Sequence, residues 1–295
     1  MIAIDWGTTN FRAFRLDGST IVDRIPSGPG ILAVPPGSFP KTLESLLAAW
    51  LQAGEEKILM AGMVGSRQGW LEAPYLACPT DLATLAAATI PVPFPQIPFS
   101  PATVRLVPGL TTTDPQGTPE VMRGEEVQLA GILHRIAPDA LVCLPGTHSK
   151  WVHVAQGRIA TFTTHLTGEA FQALRHHTIL GRLMHDGPTL PGPFADGVDR
   201  AAQPGGLLHH LFGARTRVLI GALPETHAAS YLSGLLIGHE VAAVAPTSLV
   251  HLVGAAALSA LYAAAIAQRG GMSLILDQDA AATGLARIAE HIQWT

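Results

Sequence analysis

The chain has 295 residues, 48% hydrophobic and 14% charged, with a formal net charge of −4. That is enough apolar material for one large domain or two compact ones, and mild acidity without a basic block argues against a nucleic-acid or anionic-membrane partner. The two cysteines, Cys78 and Cys143, are far apart and in no metal-binding spacing, as expected of small buried hydrophobes in a reducing cytosol.

In chain order, the pattern predicts strands at 2–6, 11–16 and 20–25. No basic region precedes the first apolar run and Asp5 interrupts it, so a cytoplasmic protein without a signal peptide is expected. The turn after the first strand places Asp5, Thr8, Thr9 and Asn10 around Gly7, a carboxylate, two hydroxyls and a carboxamide about a flexible residue. A plain hairpin needs none of these, whereas a phosphate site uses them. A helix follows, with Ser38 placed to cap it, Pro40 early in it and TLESLLAAWL as its periodic face. Next come a strand (KILMAG), a loop (MVGSRQGW), a helix at 80–88 capped by Thr80, and a Pro-rich stretch at 91–101. The strand TVRLVPG and the helix EEVQLAGILHRI complete the first half.

The second half reads similarly. Strands at 141–145, 150–154 and 158–163 lead to a helix beginning at Thr167-Gly168-Glu169. An irregular Gly/Pro-rich insertion is expected at 185–206, then a long helix after Pro224, the strand SLVHLV, the helix AAALSALYAAAIAQ, the strand MSLIL and the helix AATGLARIAEHI. Residues 249–267 approach membrane-span length, but His251 and a glycine at the strand-to-helix handover mark a buried strand–turn–helix. The pairs His176–His177 and His209–His210 lack metal-binding spacing, so surface or capping roles are expected.

The opening recurs. AIDWGTTNFRAFRLDGSTIV aligns with VCLPGTHSKWVHVAQGRIAT, matching Gly7 with Gly146, Thr8 with Thr147, Asn10 with Ser149, and Gly18 with Gly157. Each copy is strand, polar Gly-Thr turn, strand, Gly turn, strand, which indicates a duplication of domain size. Both halves approximate βββαβαβα. The expectation is therefore an α/β protein with mixed sheets, in domains 1–138 and 139–295 flanking a central cleft. Facing Gly-Thr turns grip a polyphosphate from two sides.

This duplicated core resembles the actin, sugar-kinase and heat-shock ATPase superfamily, whose domains are ribonuclease-H-like. More closely, DWGTTNFR, MAGMVGS with GW and PYL after it, VMRGEE, PGTHSKWV, TGE and YLSGLLIGHEVA resemble the 2-dehydro-3-deoxygalactonokinase family, in the family's order from residue 3 to about 244. The resemblance implies ATP- and Mg2+-dependent phosphorylation of 2-dehydro-3-deoxy-D-galactonate on its terminal hydroxyl. The 6-phosphate so formed is bound for aldol cleavage in galactonate breakdown. The implied partners are a small sugar acid and a nucleotide, with room for a homo-oligomer. An exopolyphosphatase-like hydrolase and a nucleotide-switched binding module are the competing classes.

Phosphoryl transfer needs positioning, charge neutralisation and a group to receive a proton. Asp5 is the candidate anchor for Mg2+, through water; Leu144 stands at the matching place in the second copy. Gly7, Thr8, Thr9, Gly146 and Thr147 supply phosphate donors, and Lys150, read as either a surface strand residue or a phosphate contact, adds charge. Gly254 and Ala255, after SLVHLV, resemble the superfamily's adenosine motif. Glu125 and Glu126 start a helix as in exopolyphosphatases and type III pantothenate kinases, and one of them, with Glu126 ahead, is the expected proton acceptor. Arg12, Arg67 and Arg123 are candidates for the sugar-acid carboxylate. Asn10, Ser66 and Trp70 are candidates for hydroxyl and ring contacts, and Trp70 fits the core equally well.

Overall fold

A computed structural model describes residues 1–94, 102–276 and 279–294; most of the Pro-rich stretch predicted at 91–101 lies outside them. The chain divides into two compact units. The first comprises 1–139, 153–162 and 279–295, the second 140–152 and 163–278.

In the first unit, β1 (Ile2–Trp6), β2 (Phe11–Asp17) and β3 (Thr20–Ile25) form an antiparallel meander. Ile2, Ile4 and Trp6 alternate onto the core face of β1, and Ala3 is buried on the other face. The helix α1 (Phe39–Gln52) packs Leu43, Leu47, Trp50 and Leu51 onto that core, one stripe at helical spacing. Ser38 sits at its N-cap but makes no side-chain cap bond, so the helix start relies on Pro40 and packing. The strand β4 (Lys57–Ala61) returns parallel beside β1; four of its residues are buried, as covered parallel strands require. Next are β5 (Tyr75–Ala77), α2 (Leu82–Ala87), β6 (Ile90–Pro91), β7 (Thr103–Leu106), β8 (Gly109–Thr113), β9 (Pro119–Met122) and α3 (Glu125–Ile132). The main sheet runs β3-β2-β1-β4-β7-β6, and β5-β8-β9 form a small sheet that the sequence pattern did not reveal. The cap of α2 is Asp81, not Thr80: its carboxylate accepts from the Thr84 N–H at 2.9 Å, while Thr80 is buried and bridges Ile159.

The second unit contains β10 (Ala140–Leu144), β11 (Ser149–Ala155), β12 (Arg158–His165), α4 (Thr167–His177), α5 (Pro191–Ala201), α6 (Gly206–Leu219), α7 (Glu225–Val244), β13 (Val250–Leu252), α8 (Ala256–Gln268) and β14 (Ser273–Ile275). Residues 153–162, the outer part of the β11–β12 hairpin, count with the first unit. The sheet order β12-β11-β10-β13-β14 reproduces β3-β2-β1-β4-β7, so the repeat seen at the turns extends across the sheet. Gly18 and Gly157, the aligned hairpin glycines, both take positive φ, 56° and 73°.

The segment expected to be irregular at 185–206 contains α5 instead. Its prolines fall in the first turn, where no intrahelical N–H is needed. Its Gly197 is a packing residue, since a Cβ there would lie 2.2 Å from the Tyr231 carbonyl oxygen of α7. His210 is buried rather than surface-lying, bonded to His239 and the Pro204 carbonyl. Cys143 is buried, whereas Cys78 is only half-buried. The last helix, α9 (Ala280–Ala289), crosses α3 in the first unit at Gly131 and Gly284, where neither could carry a Cβ. Among the described residues no helix is long and apolar enough to cross a membrane, and 249–267 folds as β13 and α8.

Candidate active site

Each Gly-Thr turn is clamped by backbone from the segment after its meander. In the first, the Gly7 N–H donates to the Asn10 carbonyl at 2.8 Å, and the Ile31 and Leu32 N–H groups donate to the carbonyls of Gly7 and Thr8 at 3.1 and 3.2 Å. Gly30 lies flat on the turn, where a Cβ would fall 2.3 Å from the Thr9 carbonyl carbon. In the second, the Glu169 N–H donates to the Thr147 carbonyl at 2.9 Å, and a Cβ on Gly168 would fall 2.4 Å from the Gly146 carbonyl oxygen. Thr8, Thr9, Asn10 and Thr147 are exposed, so their donors face outward from rigid supports. Asn10 is already engaged by Ser27, whose hydroxyl donates to its Oδ1 at 3.1 Å.

Asp5, next to last in β1, lies opposite Arg12 on β2, and the two side chains form an ion pair. Beside it, Gly62 closes β4 at φ 96°; a Cβ there would meet the Asp5 Oδ1 at 3.2 Å and the Trp6 carbonyl at 2.8 Å. Gly124, at φ 107°, comes next, its own Cβ position 3.3 Å from the Gly62 Cα. Two glycines thus bring the start of α3 close to the Asp5 carboxylate without filling the space between. Asp5 is partly buried, with its Oδ2 on Arg12 and its Oδ1 beside this gap; a carboxylate so placed fits Mg2+, which takes one or two carboxylates and otherwise water and phosphate oxygens.

The two glutamates at the start of α3 differ. Glu126 is fully buried, its Oε2 accepting from the Gly124 N–H at 2.6 Å and its Oε1 without a partner. Burial foremost, then the Glu125 charge, pushes its carboxyl up to about 8. Glu125 is half-buried and accepts from the Arg123 N–H at 3.1 Å. Arg123 is buried, donates to the Ala73 carbonyl at 2.8 Å and lies 4.4 Å over the Tyr75 ring, with its Nε and Nη1 unpartnered.

On the loop after β4, Ser66 donates to the Met63 carbonyl at 2.7 Å and Arg67 stands out, its side chain 86% exposed. Trp70 is half-buried, stacked on Phe39 at 6.2 Å and packed against the core. It also borders a small cavity of about 340 Å³ with Phe39, Gln68 and Gly69.

The second unit holds a cavity of about 490 Å³, within the range of small-molecule sites. Gly146, Thr147 and Ala255 line it, bringing the second turn together with the predicted adenosine motif. Phe171, Leu258 and Tyr262 form apolar walls, and Gln172 and Arg175 add polar groups. Gly254, at φ 153°, lies behind this lining, near the Pro145 carbonyl. Lys150 is not on its wall and is not a surface residue: it is buried and donates to the Thr164 hydroxyl at 3.1 Å. The clamping glycines and the cavity walls escaped sequence reasoning; Gly30, Gly62 and Gly168 each follow closely on a strand end, which was the available signal.

A duplicated sheet of this order, with a clamped Gly-Thr turn in each copy and a nucleotide-sized cavity beside one of them, defines the actin-like ATPase and sugar-kinase class of fold. The family model described as 2-keto-3-deoxy-galactonokinase matches residues 5–288, and the chain belongs to that family. It is 37% identical to a probable 2-dehydro-3-deoxygalactonokinase of Rhizobium meliloti (strain 1021), over 98% of this chain and 96% of the relative. It is 33% identical to the 2-dehydro-3-deoxygalactonokinase of Escherichia coli (strain K12), over 99% and 98%. A crystal structure from Sinorhizobium meliloti, described as a candidate 2-dehydro-3-deoxygalactonokinase, superposes with a TM-score of 0.89 at 34% identity, covering 98% of both chains.

Proposed function

We propose that the protein is a kinase that transfers the γ-phosphoryl group of ATP to the 6-hydroxyl of 2-dehydro-3-deoxy-D-galactonate. The observation that carries this reading is family membership over residues 5–288. The clamped turns and the cavity supply the parts such a reaction needs. The nucleoside occupies the cavity of the second unit, against Ala255 with Gly254 behind it. Gly146 and Thr147 donate to the phosphates from the clamped second turn; Gly7, Thr8 and Thr9 are the corresponding phosphate donors of the first unit. Lys150, buried behind the turn, contributes positive potential rather than a direct contact.

Asp5 would hold Mg2+, and the ion would supply charge neutralisation for the phosphates. The sugar O6 forms its bond to the γ-phosphorus as the bond from that phosphorus to the bridging oxygen breaks, and ADP leaves. The O6 proton passes to a carboxylate. Glu125 suits this role better than Glu126, because it is partly open and a carboxyl raised to about 8 is mostly protonated at neutral pH. Glu126 then shapes the helix start by holding the Gly124 N–H. For the substrate carboxylate, Arg67 is the most exposed guanidinium, held only by a solvent-exposed pair with Glu72 at 3.4 Å; Arg12 is committed to Asp5, and Arg123 sits behind the loop it supports. Asn10 and Ser66 are the remaining candidates for sugar hydroxyls. Trp70 belongs to the core.

A coupled assay of ADP release tests the reading with Mg-ATP, with and without 2-dehydro-3-deoxygalactonate. Sugar-dependent ADP release is expected. Phosphate released from ATP or polyphosphate at the same rate without the sugar would replace the kinase by a hydrolase.

A further inference from the structure

Glu240, on α7, is 3% exposed, and a carboxylate so placed is costly unless its lone pairs are filled. Here they are. Its Oε1 accepts from the Trp151 indole N–H at 2.7 Å, and its Oε2 accepts from the Tyr262 hydroxyl at 2.7 Å and the Ser149 hydroxyl at 3.0 Å. The Ser149 and Tyr262 hydroxyls are themselves 2.9 Å apart. One carboxylate therefore ties together α7, the start of β11 and α8.

One of the three donors lines the candidate nucleotide site and another adjoins its phosphate turn. Ser149 follows the Gly146-Thr147 turn directly, at the place aligned with Asn10 in the first copy. Asn10 is exposed, whereas Ser149 is drawn inward and fully buried. The Tyr262 ring lines the cavity, and its hydroxyl points away from open solvent into the Glu240 network. The inner end of the phosphate turn and one wall of the cavity thus share a single buried anchor.

We propose that Glu240 is a positioning residue for the nucleotide, setting the phosphate turn through Ser149 and the cavity wall through Tyr262. The inference rests on the reading of this cavity as the ATP site. Glutamine at 240 keeps the shape and an oxygen for the Trp151 indole N–H, but its amide hydrogens then donate to the Ser149 and Tyr262 hydroxyls, which reverses both hydrogen bonds and removes the charge they served. The two hydroxyls must turn their protons to each other or to the His165 carbonyl, 3.4 Å from the Ser149 hydroxyl, which repositions the turn end and the cavity wall.

The experiment measures Mg-ATP binding by calorimetry and the KM values for ATP and the sugar acid in four proteins: wild type, Glu240→Gln, Tyr262→Phe and Val198→Ala. Val198 lies in the same hydrophobic core and not on the cavity, so its variant reports plain loss of packing. Glu240→Gln is expected to weaken ATP binding and raise its KM about tenfold, as loss of a hydrogen bond to a charged group does. The KM for the sugar acid should stay within about twofold. Tyr262→Phe is expected to move the same parameter less, by about threefold, and Val198→Ala to lower the melting temperature without moving it. If wild type binds no ATP, the site reading itself fails. If wild type binds ATP and folded Glu240→Gln binds it equally well, the positioning role is wrong. Should Glu240→Gln not fold, Tyr262→Phe decides: an unchanged ATP affinity there overturns the proposal.

Discussion

Replacing Glu126 by glutamine should change how stability responds to pH. In the folded chain this carboxyl is pushed up to about 8, and its ordinary value is 4.5. Between those values the unfolded chain gives up the proton while the folded one keeps it. The stability associated with the neutral carboxyl is therefore fully present below about 4.5 and is lost as pH rises towards 8. Each pH unit in that window costs about 1.4 kcal/mol, so the span from pH 5 to pH 8 costs about 4 kcal/mol. Glutamine cannot ionise, yet it retains an oxygen for the Gly124 N–H now bonded at 2.6 Å. Urea unfolding of both proteins at pH 5, 6.5 and 8 isolates the effect, because every other titrating group cancels in the difference. The variant should gain on wild type by about 4 kcal/mol across that range. Parallel profiles would refute the reasoning and place an ionised carboxylate at this site.

The same glutamates separate by rate. Glu125→Gln should lower kcat by about 10²–10⁴-fold, the usual worth of a general base, with Glu126→Gln affecting kcat far less; the reverse order in steady-state assays would exchange their roles. Asp5→Asn should reduce kcat and raise the Mg2+ concentration needed for half-maximal rate while circular dichroism stays native, and an unchanged kcat would remove Asp5 from the mechanism. Gly168→Ala puts a Cβ 2.4 Å from the Gly146 carbonyl oxygen. The displaced turn should raise the KM for ATP and spare that for the sugar acid, and an unaffected ATP KM would show that this turn does not hold phosphate.

The sequence carries the scaffold legibly because its signals are local and repeated. The two Gly-Thr turns, the paired hairpin glycines, the periodic face of α1 and the long apolar run after Pro224 predict the meanders and the long helices within a few residues. Where packing between distant elements decides, the pattern misleads. Gly197 and the prolines of α5 look like breakers, but Gly197 and Gly234 exist to let α5 and α7 touch. The adjacent Glu125 and Glu126 are indistinguishable in sequence. Only packing in the first unit fixes which one is sealed. Lys150 reads as a surface strand residue until β11 is placed inside its sheet. The cavity of the second unit gathers scattered side chains from α4, α7 and α8, so no contiguous motif announces its walls. The small sheet β5-β8-β9 uses strands of three to five residues, too short for a clear alternation.

Phosphoryl transfer to the sugar acid is read directly by phosphorus NMR of a reaction containing Mg-ATP and 2-dehydro-3-deoxygalactonate. Phosphomonoester resonance, split by the methylene protons on C6, should grow in equal amount with ADP. Growth of inorganic phosphate in place of that ester would contradict such a transfer.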